Sequence, residues 1–297
     1  MDRRAELETL VTLRDYVRYA ASRFSAADLC FGHGTAGSLD EAAALVLHTL
    51  HLPYDLPGGY LEAKLVPEER ERVLNLMERR IADRQPLAYL THEAPFAGLS
   101  FYVDERVLVP RSPIAELIEN RFAPWLEADE VTDVLDLCTG SGCIAIGCAH
   151  AFPEAIVDAV DISPGALAVA RINIGKHGLD DRVHAIESDL YSALGSKRYD
   201  LIVSNPPYVN LAEWQSLPPE FHAEPRLGLE SGEDGLDCVR RILQEAASYL
   251  KPQGILIVEV GNSADRLVKA YPEFPFYWLD FERGGEGVFL IAHENLS

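Results

Sequence analysis

The sequence predicts an α/β protein: a helical N-terminal part, then a mainly parallel, doubly wound sheet with an antiparallel strand at its edge. Three observations predict it. Apolar residues recur at three- and four-residue spacing through the first 85 or so positions, the period of helices. From Val131 onward short apolar runs alternate with helical patterns, the signature of repeated βα units. Near the end, Tyr277–Phe281 and Val288–Ala292 flank Gly284-Gly285 and read as a closing hairpin. A chain of 297 residues is long enough for two domains. We expect a helical domain over 1–86, a hairpin linker over 87–110, and an α/β domain over 111–297.

Ala5–Phe24 reads as the first helix, with Ser25 as a cap for the segment that follows. Ser38-Leu-Asp-Glu41 has the S-x-x-E form of a capping box opening the apolar run Ala42–Leu50. His51–Gly59, with Pro53 and Pro57, is a loop. Pro67 starts a helix over Glu68–Arg84, with acids in its first turn where the helix dipole favours them. Phe96–Val103 resembles a short hairpin, and Pro113–Trp125 resumes as helix. In the C-terminal part, strands are expected at Val131–Leu137, Ile156–Val160, Val183–Ile186, Leu201–Val203 and Ile255–Val260. Helices are expected at Cys143–Ala151, Ser163–His177, Leu236–Leu250 and Ala264–Ala270.

No apolar run approaches the ~18–20 residues of a membrane span. The charged, helix-patterned start lacks a signal-peptide core, so a cytoplasmic protein is expected. Five cysteines (Cys30, Cys138, Cys143, Cys148 and Cys238) form no metal-type C-x-x-C pair and read as free thiols. Net charge is -21, from 26 basic and 47 acidic residues. Such a field repels nucleic-acid phosphates and suits a basic protein partner.

The chemistry concentrates at the expected strand ends. Asp136-Leu-Cys138-Thr139-Gly140-Ser141-Gly142 follows the first strand and opens a helix, so small residues let backbone N–H groups approach a ligand. Asp161 ends the second strand, where a carboxylate can accept both hydroxyls of a ribose. Asp189 follows the third, placed to meet an adenine amino group. Ser204-Asn205-Pro206-Pro207-Tyr208 ends the fourth. Its two prolines fix the backbone and remove two N–H donors. Asn205 adds a carbonyl acceptor and Tyr208 a flat face. The four residues form a slot for a planar NH₂ group, its protons taken by the Asn205 side-chain carbonyl and the Pro206 backbone carbonyl. His33, His92 and His222 belong to no such pattern and read as structural or solvated.

On these residues the chain resembles the class I S-adenosylmethionine-dependent methyltransferases whose N-P-P-Y marks amino-group methylation. More narrowly it resembles the HemK-like protein-glutamine methyltransferases. The likeness extends over the helical part, Val107-Leu-Val-Pro-Arg111, the glycine loop, Asp161, N-P-P-Y, Glu224-Pro-Arg-Leu and Gly232-Glu-Asp-Gly235-Leu. It implies a Rossmann-like sheet of seven strands with a C-terminal antiparallel hairpin, and S-adenosyl-L-methionine as cofactor. The cofactor would be held by Asp136, Cys138–Gly142, Asp161, Asp189, Asn205 and Arg111, with Asn205–Tyr208 carrying the catalysis and no metal.

Two departures refine the resemblance. Cys138 stands where the family has glycine. Pro110-Arg-Ser-Pro-Ile-Ala115 lacks the acids usual in release-factor-modifying members. With Gly32-His-Gly34 and Ala88-Tyr-Leu-Thr-His-Glu93, the sequence is similar to the PrmB-type branch. That branch implies a basic partner, large-subunit ribosomal protein L-three, with neither direct nucleic-acid nor membrane binding. Release factors are the alternative substrate; an adenine amino methyltransferase of nucleic acid and an inactive ribosomal-protein-binding protein stand further behind.

Overall fold

The computed structural model describes residues 3–296. The chain forms two compact units, one made by the chain up to His92 together with Pro218–Ala223, the other by Glu93–Leu217 and everything from Glu224 onward.

The first unit contains α1 (Arg3–Thr9), α2 (Leu13–Ala26), α3 (Ser38–Thr49), α4 (Pro67–Asp83) and α5 (Leu87–Thr91). Its core joins Tyr16 and Phe24 of α2, Leu45 and Val46 of α3, and Leu74 and Met77 of α4. The single helix expected over Ala5–Phe24 is two helices. Thr12 caps α2 in a reciprocal box, its hydroxyl accepting from the Asp15 N–H at 3.2 Å while the Asp15 carboxylate accepts from the Thr12 N–H at 2.8 Å. Backbone pairing of Leu13 N–H with Ala63 and of Leu65 N–H with Val11 draws that stretch out of the helix.

The box expected at Ser38–Glu41 does not form. Gly37 is the N-cap and receives no side-chain bond, Ser25 lies inside α2, and its hydroxyl donates to Ser38. Glu41 is drawn away by a stronger partner: it accepts from Arg80 Nε at 2.7 Å, and both residues are buried. Arg80 also donates to the Cys30 carbonyl, and its guanidinium lies 3.8 Å from the buried Glu220. Glu220 in turn accepts from Arg84 at 2.9 Å and from the Cys30 N–H at 3.1 Å. A six-residue segment far along the chain is thus anchored among the helices by one carboxylate.

The second unit opens with β1 (Ala94–Phe96) and β2 (Leu99–Phe101), an antiparallel hairpin turned by Ala97 and Gly98, both at positive φ as a two-residue turn requires. Next comes α6 (Ile114–Glu119), shorter than the expected Pro113–Trp125 because Arg121 and Phe122 adopt left-handed backbone and Phe122 buries against Phe152. There follow β3 (Asp133–Leu137), α7 (Cys143–Ala151), β4 (Ile156–Asp161), α8 (Pro164–Lys176), β5 (Val183–Glu187) and β6 (Tyr199–Ser204). The chain then forms α9 (Leu211–Ser216), α10 (Asp237–Tyr249), β7 (Leu250–Glu259), α11 (Ala264–Ala270), β8 (Tyr277–Trp278) and β9 (Val288–Ala292). The sequence gave no sign of

The seven strands order β5-β4-β3-β6-β7-β9-β8, with β9 antiparallel to both β7 and β8 and the rest parallel. Alternate residues feed opposite faces. Val134, Leu201, Val203, Ile255 and Ile257 enter one core cluster, whereas Leu135, Ile202, Leu256 and Val258 enter the other. No helix among the described residues is long and apolar enough to cross a membrane.

Removing Arg80 leaves Glu41 and Glu220 as buried carboxylates short of a partner, so Arg80→Ala should destabilise the helical unit by about 3–5 kcal/mol in urea denaturation. A loss below about 1 kcal/mol, the range of a solvated pair, would contradict this role.

Candidate active site

Parallel register brings the strand ends into one row. Leu137 pairs with Val160 on one side and Ser204 on the other, and Ser204 pairs with Val258. The next residues along the four strands, Cys138, Asp161, Asn205 and Glu259, therefore share the carboxyl edge of the sheet, where ligands bind in open α/β folds. A cavity of about 490 Å³ lies there, within the size range of small-molecule sites.

One wall is the loop after β3. Cys138, Thr139, Gly140 and Ser141 line the cavity, while Asp136 and Gly142 lie outside its lining. Gly142 is at φ +79°, and a Cβ there would come within 3.3 Å of Ala170 on α8, so the residue serves close packing. Cys138, in the position where the resembling family has glycine, adopts φ 59°. Asp136 is fully buried and ties the loop to α7, accepting from the Thr139 hydroxyl at 2.6 Å and the Ala145 N–H at 3.0 Å through Oδ2. Its Oδ1 has no hydrogen-bond partner, and burial pushes its carboxyl up to about 7.

Asp161 faces the same cavity. Its Oδ2 accepts from the Gly140 N–H and its Oδ1 from the Ser163 N–H, both at 2.9 Å. Each oxygen keeps a lone pair for a further donor. Burial raises its carboxyl against the pull of these N–H groups. Asp189 also lines the cavity but is shared with Arg241, which donates to it at 2.8 Å.

Asn205, Pro207 and Tyr208 form the opposite wall, and Pro206 is buried outside the lining. The Asn205 side chain forms no hydrogen bond among the described residues. Tyr208 is held at both ends: its carbonyl accepts from Ser263 Oγ at 2.7 Å and its phenol donates to Glu259 at 3.0 Å. Burial first, then the Glu259 charge, pushes that phenol well above its ordinary range. Arg111 lines the cavity and makes a two-pronged ion pair with the buried Glu224, at 2.6 and 2.8 Å, while the Val109 N–H donates to the same carboxylate.

The row thus brings together Cys138–Ser141, Asp161, Asp189, Asn205, Pro207, Tyr208 and Arg111. It adds Glu259, Ser112 and Cys238, which sequence reasoning missed. For Glu259 a signal existed, an acid closing an otherwise apolar strand.

The raised Asp136 carboxyl has a defined pH signature. Between the ordinary carboxylate range and about 7 the folded protein holds a proton that the unfolded chain has released, so this contribution to stability is present in acid and fades as pH rises to about 7. Asp136→Asn cannot ionise, and its amide oxygen can keep both hydrogen bonds. Its Tm relative to the parent should climb by several degrees from about pH 5 to about pH 8. A pH-independent difference in calorimetry would contradict the assignment.

The family model of the methyltransferase small domain matches residues 120–267. The chain is 52% identical over 290 residues to a ribosomal protein uL3 glutamine methyltransferase of Neisseria meningitidis serogroup A, covering 97% of this chain and 95% of that protein. It is 48% identical over 291 residues to the protein of the same name from Francisella tularensis, covering 98% and 93%. Among solved structures, the hMettl16 catalytic domain in complex with MAT2A 3'UTR hairpin 6 superposes with a TM-score of 0.51 at 16% identity, covering 75% of this chain and 80% of that one. That likeness concerns the fold alone. The sheet unit has the class I S-adenosylmethionine-dependent methyltransferase fold, and the chain belongs to the family of ribosomal protein uL3 glutamine methyltransferases.

Proposed function

We infer that this protein transfers a methyl group from S-adenosylmethionine to the side-chain amide nitrogen of a glutamine in ribosomal protein uL3. The observation that carries this reading is near-full-length identity of about half to uL3 glutamine methyltransferases, in a chain whose N-P-P-Y lies on a strand-end cavity. The likeness spans the helical part as well as the sheet unit, which supports assigning residues 1–86 to recognition of the protein substrate. A ribosomal-protein substrate places the enzyme in the cytoplasm.

The cavity fits the cofactor. Asp161 is fixed by two backbone N–H groups with acceptor capacity left over, as a ribose diol needs. The Cys138–Ser141 backbone supplies the close approach and Asp189 an acceptor for an amino group, with Arg111 and its Glu224 partner bracing the Val107–Arg111 wall. When bound there, S-adenosylmethionine supplies an electrophilic methyl group.

The protein's own part is alignment. An amide nitrogen is a weak nucleophile because its lone pair is delocalised, and no base present could usefully deprotonate it at neutral pH. Asn205 accepts one amide proton through its side-chain carbonyl, and the Pro206 carbonyl accepts the other. Pro206 and Pro207 keep that backbone from adjusting, and Tyr208 packs beside the amide plane. Fixing the reacting groups in this way can lower a barrier by up to ~7–11 kcal/mol in the best intramolecular cases. Positive charge developing on nitrogen meets oxygens already oriented towards it, an electrostatic stabilisation that needs no reorganisation. The extra proton then leaves to water.

The two halves of the site should separate by mutation. Asp161→Ala should weaken S-adenosylmethionine binding by about 10- to 100-fold, the worth of charge-assisted hydrogen bonds to a diol. Asn205→Ala should abolish methyl transfer to uL3 while calorimetric cofactor affinity stays nearly that of the parent. Unchanged affinity in the first variant, or full transfer in the second, would remove that residue from the mechanism.

A further inference from the structure

Glu259 is an ionisable residue on the cavity wall with no part in cofactor or substrate binding so far. It ends β7 one position beyond the Ser204–Val258 pair and is only 6% exposed. Burying a carboxylate is unfavourable unless donors surround it, and here there are two. Tyr208 donates to Oε1 at 3.0 Å and Ser112 to Oε2 at 2.5 Å. Ser112 Oγ also accepts from the Ile114 N–H at 3.1 Å, which leaves its own proton for Glu259. Burial raises the carboxyl, while both donors and the Arg111 charge favour its ionised form.

The consequence falls on N-P-P-Y. Its two prolines are fixed by their rings, and Tyr208 is the remaining member that could swing. The Tyr208 ring lies over Gly261, where a Cβ would come within 2.6 Å of it. This bare backbone lets the ring lie flat but gives it no lateral stop. The one polar restraint on the ring is the hydrogen bond from its phenol to Glu259.

We propose that Glu259 is a positioning residue for amide transfer, which through Tyr208 holds the substrate wall of the slot and leaves the cofactor side untouched. This rests on reading Asn205–Tyr208 as the amide slot.

Glu259→Gln preserves volume and one acceptor, and Tyr208→Phe removes the phenol. Each should lower kcat on uL3 by about 10- to 100-fold, the range expected when a reacting group is misplaced, with KM and S-adenosylmethionine Kd within about threefold of the parent. The double variant should be no slower than the worse single one, because both changes break the same bond. Multiplying losses in the double variant, or parental kcat in Glu259→Gln, would overturn the proposal. Hydrogen exchange on the full-length enzyme gives a substrate-free readout: the 204–217 peptide should exchange faster in Glu259→Gln, with the 136–142 peptide unchanged. Exchange equal to the parent at 204–217 would overturn the positioning role even if activity fell. A parent enzyme unable to methylate uL3 would instead overturn the functional reading, leaving the exchange result to decide on Glu259.

Discussion

The site depends first on the parallel register at Leu137, whose neighbours are Val160 and Ser204. Slip β6 by one residue and every side chain on it changes face, exchanging Ile202 for its neighbours in the wrong core and carrying Asn205 off the row. The alternation of Leu201, Ile202 and Val203 between two apolar clusters opposes such a slip. The hydrophobic packing that stabilises the sheet is therefore what aims the ligand-facing residues, and the site needs little separate scaffolding.

What scaffolding exists is polar, buried and partly strained. Asp136 pins the loop after β3 from beneath, at the expense of a desolvated carboxyl oxygen. Cys138 holds a left-handed backbone that costs a residue with a side chain about 1–2 kcal/mol. Its sulfur lies 3.9 Å from that of Cys238, and both line the cavity, so the substitution for glycine changes the wall as well as the turn. On the far wall, Pro113 closes over Gly285, where a Cβ would meet its ring carbon at 2.7 Å. The serine-proline sequence after Arg111 is thus built into the packing of this chain: Ser112 serves Glu259 and Pro113 covers the glycine turn.

The residues legible in the sequence were those whose chemistry is local. Two adjacent prolines, a glycine loop after an apolar run and an acid ending the next strand carry their meaning in a few positions. Alternating apolar runs likewise located Cys143–Ala151 and Ala264–Ala270 with their observed bounds. Illegible were the partners brought in by tertiary folding. Glu259 meets Tyr208 and Ser112 across 51 and 147 residues of chain, and Glu41 prefers Arg80 to its own helix end across 39. Helix lengths failed for the same reason: Phe122 could extend α6 or enter the core, and burial against Phe152 decided it. The Thr12–Asp15 box was readable and overlooked, because apolar periodicity ran straight through it.

The strong acidity of the chain, -21, favours encounter with a basic ribosomal protein over nucleic acid. The central claim is that the Asn205 slot methylates a glutamine amide of uL3. The most direct measurement gives the purified enzyme S-adenosylmethionine and equal amounts of free uL3 and a release factor, then locates the added methyl by tandem mass spectrometry over time. The account predicts a single methyl on a glutamine side-chain nitrogen of uL3, appearing well before any change in the release factor. Modification of the release factor first, or a uL3 methylated on a residue other than glutamine, would contradict it.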